Sequence, residues 1–263
     1  MSLVIKSKKT IKGTLDHFYE AYNQVGFIDN DPVQIPHLFS KQQDIEIMGF
    51  FAAVLAWGQR ITIINNCKKL IEIMDGEPHD FILNHSDSDL KRCEKFVHRT
   101  FNDTDLLSMI AFLKIIYNQY NTMEPAFANH LGAKDKTVEN ALNGFRNLYE
   151  NSEAFIKRTT KHIAHPAAGS ACKRINMFLR WMVRSDNKGV DFGLWKKIKP
   201  SQLICPLDLH VIRVATEIGL LSKPKSDWKT AVLLTNKLKT FDAIDPVKYD
   251  FALFGMGVNK ADF

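Results

Sequence analysis

The chain has 263 residues and a mass of 30.1 kDa, 45% hydrophobic and 24% charged, which excludes a disordered or collagen-like molecule and fits one large domain or two small ones. No apolar run reaches the roughly 20 residues that cross a bilayer, and the opening MSLVIKSKKTIKG lacks the apolar core of a signal peptide, so a cytoplasmic protein without membrane attachment is expected. Cys67, Cys93, Cys172 and Cys205 form no C-x-x-C pair, which argues against a zinc ribbon or a locally spaced iron–sulfur set and for packed, reduced thiols.

In chain order, helical spacing recurs and strand alternation is nearly absent, so the expected class is all-α. A first helix is expected over Leu15 to Tyr22. The Asp31-Pro32 pair reads as a helix start. From Asp44 to Trp57 the apolar residues Ile45, Ile47, Met48, Phe50, Phe51, Val54, Leu55 and Trp57 surround the axis, as in a helix buried at the centre of a fold. Gly58 ends it. Single stripes follow at Ile63, Cys67, Leu70, Ile71 and Met74, closed by Gly76 and Pro78, and at Leu106, Met109, Ile110, Leu113 and Tyr117. Others run through Val138, Leu142, Phe145 and Leu148, through Ile175, Phe178, Leu179 and Met182, and through Val211, Val214, Ala215 and Ile218, closed by Gly219. Asp245-Pro246 marks a late start. Roughly ten helices and no internal repeat are expected. The stretch from Ser185 to Cys205 is weakly patterned, with Phe192, Leu194 and Trp195 as its expected anchors.

Charge is unevenly placed. The net charge is +6, yet Lys157 to Lys199 alone holds eleven Lys/Arg against Asp186 and Asp191, or +9 in 43 residues. A local excess of this kind is the footprint of a polyanion, nucleic acid first, or else a solvated basic face.

Two segments within and after it stand out. In HPAAGSACKRINMFLRWMVR (165–184) a small-residue turn around Gly169 and Ser170 leads into an amphipathic helix. Amides at its start could face a phosphate, and Lys173, Arg180 and Arg184 share a helix face. In CPLDLHVIRVATEIGL (205–220), proline and then Asp208 open a helix. An aspartate there is ordinarily an N-cap, and a helix lysine is ordinarily solvated, so neither residue alone signals catalysis.

Taken together the two segments resemble the helix-hairpin-helix DNA glycosylase superfamily, which pairs a small-residue hairpin ending in lysine with a downstream Pro-x-Asp-x-His-Val-x-Arg. Here the second motif reads Pro206-Leu207-Asp208-Leu209-His210-Val211-Ile212-Arg213, followed by Gly219-Leu220. Phe50 to Gln59 is similar to the early buried helix of that superfamily, which ends near a glutamine wedge. Tyr249 to Gly257 is similar to its late helix with a terminal glycine. The whole chain also resembles a conserved bacterial family. Ala171 stands where the usual second hairpin glycine would fall, and Lys173 and Asp208 are 35 residues apart, a long insert shared with the archaeal 8-oxoguanine branch. No cysteine follows Cys205, so the resemblance implies no iron–sulfur cofactor and no metal.

The resemblance implies a two-lobed fold with a DNA cleft between the lobes. Residues 36–180 would form a helical barrel carrying the hairpin, and 1–35 plus 181–263 the second lobe. It implies a base-excision DNA glycosylase with AP-lyase activity, acting as a monomer on double-stranded DNA that contains a damaged base, oxidised guanine among the candidates. Lys173 would be the nucleophile and Asp208 its catalytic partner. Gln59, Gly169, Ser170, Arg174, Arg180, Arg184 and His210 would contact DNA. The alternatives are a DNA-binding module that has lost catalysis and a helical interaction scaffold. His162 and His165 lie three apart with no acidic or cysteine ligand nearby, and no phosphate-binding glycine motif occurs.

Overall fold

The computed structural model describes residues 8–259; the signal-peptide reading falls largely on residues 1–7, outside the described residues. The described chain is mostly helical. Its longer elements are α1 (Lys8–Tyr22), α2 (Gln42–Leu55), α3 (Arg60–Ile73), α4 (Pro78–Asn84), α5 (Asp87–Lys91), α6 (Asp103–Gln119), α7 (Glu124–Ala128) and α8 (Glu139–Glu150). They continue with α9 (Lys173–Val183), α10 (Leu209–Glu217), α11 (Trp228–Lys239) and α12 (Tyr249–Asn259), joined in places by short 3-10 turns. Among the described residues one small sheet pairs β1 (Val97–His98) with β2 (Phe101–Asn102), antiparallel. No described helix is long and apolar enough to cross a membrane.

The chain divides into two compact units. One comprises Ile28–Ala133 and Glu139–Ala164, the other Met1–Phe27, Lys134–Val138 and His165–Phe263. These divisions fall at 27/28 and 164/165, whereas the sequence reading places them near 35 and 180.

In the first unit α2 is the core. Every residue from Asp44 to Leu55 is buried, as expected of a helix apolar on all sides. Against it pack α3 and α4, and α4 packs on α6. The stripes of α3 and α6 bury Ile63, Cys67, Leu70, Leu106, Met109, Ile110 and Leu113. The two acids on α2 are buried because each has donors. Glu46, fully buried, accepts from Tyr117 Oη at 2.9 Å and from the Met123 amide at 2.8 Å. Asp44 accepts from the His79 amide at 2.7 Å. A further buried acid, Asp105, accepts from Thr159 Oγ1 at 2.7 Å and pairs with Arg158 at 3.1 Å.

In the second unit α12 is central, packed by α1 and α10. Phe251, Leu253 and Met256 are buried. Close approach of α10 is possible because Gly257 has no side chain: a Cβ there would lie 2.7 Å from His210 Cβ and 3.2 Å from its backbone. The weakly patterned stretch after α9 is anchored as well as polar. Trp195 is buried as expected, while Phe192 and Leu194 are only half-buried. The Phe192 amide donates to Trp181 O at 2.8 Å and the Trp195 amide to Met182 O at 2.9 Å, so the stretch runs back along α9.

Candidate active site

The small-residue turn expected around Gly169 forms within the second unit. Pro166–Ala168 makes a 3-10 turn, Gly169 takes φ +75°, and α9 begins at Lys173. Ala167, Ala168 and Gly169 are exposed at the apex, whereas Ala171 and Cys172 are buried beneath it. Ala171 carries no positive φ. The second left-handed residue is Cys172, at φ +52°, a conformation that strains an L side chain. It is held there by its amide donating to Ser170 Oγ at 3.1 Å. Burial pushes the Cys172 thiol up to about 12, so it stays a protonated packing group.

Asp208 is the N-cap of α10. Its Oδ1 accepts from the Val211 amide at 2.9 Å. That leaves Oδ2 to face Lys173, whose Nζ lies 3.9 Å away. Two residues 35 positions apart thus meet, each at a helix start, with their side chains 29% (Lys173) and 19% (Asp208) exposed. The capping role expected of an ordinary aspartate and the facing of an amine are both present, one on each oxygen. His210, exposed, turns Nδ1 to Gly257 O at 3.2 Å and sets its edge against Phe254. A carbonyl only accepts, so this bond places a proton on Nδ1. Arg174 is half-buried beside Lys173, and burial lowers its guanidinium from the usual range.

Arg180 and Arg184 do not occupy the place expected of DNA contacts. They are 4% and 1% exposed. Arg180 is bonded to Asp191 at 3.2 Å and to Asp250. Arg184 binds Asp186 at 2.6 Å, Asp191 at 3.0 Å and Asp245 at 2.8 Å, and donates to Tyr19 Oη. The physical reason is convergence: Asp186 and Asp191 lie in the stretch after α9, while Asp245 and Asp250 arrive from more than 60 residues away. The basic face seen on a helical wheel is therefore an internal ion-pair cluster. It also ties α9 to the C-terminal segments of the same compact unit.

The sequence reading passed over Asp250. It is buried in α12, next to residues chosen for their apolar pattern. Burial pushes its carboxyl up to about 6; Arg180 pulls against that, Asp208 adds to it and Lys173 opposes it. Cys205 Sγ lies 3.9 Å from Asp250 Oδ1, and burial raises that thiol far above its usual range. Of the other carboxylates on the two guanidiniums, Asp245 is also raised by burial despite Arg184, whereas at Asp186 Arg184 and the hydrogen bonds outweigh burial and lower the carboxyl. The signal available beforehand was an acid inside an apolar helix motif, Tyr249-Asp250-Phe251.

Gln59 belongs to the first unit. It is exposed and begins α3 without a side-chain cap bond. The turn before it is braced: Gly58 takes φ +106°, and a Cβ there would lie 2.9 Å from Arg99 Nη1. Arg99 stacks over Trp57, and His98 Nε2 lies 3.1 Å from Trp57 O. Among the described residues no group of three or more His, Cys, Asp or Glu could hold a metal ion.

A family model described as a protein of unknown function (DUF2400) matches residues 31–259. No curated protein and no solved structure matches the chain.

Proposed function

The chain belongs to the DUF2400 family, and we propose that it is a DNA glycosylase/AP lyase of helix-hairpin-helix type, acting on double-stranded DNA with a damaged base. The observation that carries this reading is the 3.9 Å approach of Lys173 Nζ to Asp208 Oδ2 at a half-open edge, directly behind an exposed small-residue hairpin. Its chemistry follows from those atoms. An amine attacks only after losing its proton, and the Asp208 carboxylate is the acceptor within reach. Lys173 Nζ then forms a bond to the sugar C1′ as the C–N bond to the base breaks. The electron pair leaves with the base, which takes up a proton. Opening of the sugar ring converts the adduct to a Schiff base. Loss of a C2′ proton and departure of the 3′ phosphate oxygen with its bonding pair then nick the strand. Asp208 stabilises the positive charge that develops on the sugar. The target nucleotide must leave the stack first, at a cost of a few kcal/mol.

Partners in this reading are Gly169, Ser170, Arg174 and His210 near the pair, and Gln59 as a wedge. Arg180 and Arg184 drop out of the contact set and serve the interior. The test is borohydride trapping on duplexes carrying common oxidised, alkylated or abasic lesions. A covalent complex that disappears in Lys173→Gln is the expected result. Absence of any complex with every lesion, together with salt-dependent retention of duplex, would replace the enzyme with a binding module. Absence of both would leave a helical scaffold.

A further inference from the structure

If Arg180 and Arg184 are internal, the cations that would meet a duplex backbone must come from elsewhere. The hairpin has an unexpected neighbour. Ser170 forms an isolated antiparallel bridge with Asp227, and the Trp228 amide donates to Gly169 O at 3.2 Å. Segment 222–229, SKPKSDWK, which is the end of the loop after α10 and the first two residues of α11, is thereby pinned alongside the hairpin apex by main-chain bonds. It carries Lys223, Lys225 and Lys229, all exposed. Its one acid, Asp227, is committed as the N-cap of α11, accepting from the Thr230 amide at 2.8 Å. Across the bridge, residues 165–174 contain no acid at all and supply Lys173 and Arg174. Lys223 is held at φ +49° immediately before Pro224. An L residue in that region, and before a proline, is doubly disfavoured, so the surrounding structure fixes the loop's path.

We propose that the 222–229 loop is a second phosphate-contacting edge beside the hairpin, with Lys225 and Lys229 as its principal cations and the backbone of duplex DNA as the occupant. The loop lies 23 to 30 residues beyond the basic segment read from the sequence, which ends at Lys199. Charge complementarity selects the ligand: exposed lysines whose one neighbouring acid, Asp227, is held as a helix cap, set beside an exposed hairpin, match a regularly spaced polyanion rather than a single small anion. This rests on the DNA-directed reading above, and it adds the contact surface that reading needs once the internal arginines are withdrawn.

The test measures affinity of the full chain for a labelled undamaged duplex over a range of salt, beside borohydride trapping of the same preparations. Each phosphate contact contributes about 0.9 to the slope of log K against log salt. Lys225→Gln/Lys229→Gln is expected to lower that slope by close to two and to weaken binding about 10-fold or more at moderate salt. Lys237→Gln, in the last turn of α11, is exposed and distant along the helix, and is expected to leave the slope unchanged. An unaltered melting midpoint shows that the double variant is folded, and Lys223→Gln, outside the helix, gives a second reading of the same edge. A double variant with the wild-type slope overturns the loop assignment while leaving a trapping-competent enzyme intact. A wild type that neither retains duplex nor traps overturns the functional reading and the loop with it.

Discussion

Helix α9 carries two kinds of cation within one stretch of sequence. At its first turn, Lys173 keeps part of its side chain in solvent and has one carboxylate oxygen 3.9 Å away. At its last turn and just beyond, Arg180 and Arg184 are sealed from solvent and shared among Asp186, Asp191, Asp245 and Asp250. Both sets lie on one helix face. The difference teaches that a basic face predicts a polyanion partner only where no carboxylates converge on it, since a buried charge must be paired.

That contrast can be broken experimentally, beginning where the effect is largest. Lys173→Gln should abolish borohydride trapping while the denaturation midpoint stays close to wild type, because a partly exposed ion contact contributes only about 0–1 kcal/mol. If trapping survives, Lys173 is not the nucleophile. Arg180→Ala should instead cost about 3–5 kcal/mol in urea unfolding, because it takes the ion-pair partner from buried Asp250 and leaves Asp191 to Arg184 alone. A loss under about 1 kcal/mol, the range of exposed pairs, would show that the cluster is solvated after all.

Asp208 sits between the two cases and can be split. Asp208→Ala removes a cap and should destabilise by about 1 kcal/mol. Asp208→Asn keeps the capping oxygen and should hold stability, yet lower the excision rate by about 10²-fold or more, the range of general acid–base loss. Wild-type excision by Asp208→Asn would reduce Asp208 to a cap.

The smallest effect concerns pH. Asp250 is raised by burial to about 6 from the ordinary 3.8, so between those values the folded state binds more protons than the unfolded state. Its contribution to stability is therefore complete below about pH 3.8 and is lost as pH rises through about 6. Asp250→Asn, neutral throughout, should flatten that part of the stability curve. An unchanged slope between pH 4 and 6 would assign the protons elsewhere in the cluster.

Much of the framework was legible in the residues. The all-round apolar pattern from Ile45 to Leu55 announced a central helix, and α2 is buried from Asp44 onward. The stripes of α6 and α9 bury the residues that their spacing named, whereas Ile71 and Leu148 are only half-buried and Ile73 and Tyr149 take the inner positions. A stripe defines a face to within about one residue, because neighbouring positions differ by 100° on the wheel and the packing partner chooses between them. The Lys173–Asp208 encounter was named from two motifs, and the structure brings the pair together. The fate of Arg180 and Arg184 was not legible, since their partners lie as far as 70 residues away. Lys223, Lys225 and Lys229 were missed for the complementary reason: they stand outside the basic window and are brought to the hairpin by the Ser170–Asp227 bridge and the Trp228–Gly169 bond.

Local order, then, was written in the amino acids themselves: helical period, proline and aspartate at helix starts, glycine where φ turns positive. These depend on steric limits and hydrogen bonds within a few residues. Which charges cancel and which remain outward was decided only by the folded chain, because Coulomb attraction and desolvation follow separation and depth in space, and these are set when segments distant in sequence pack together.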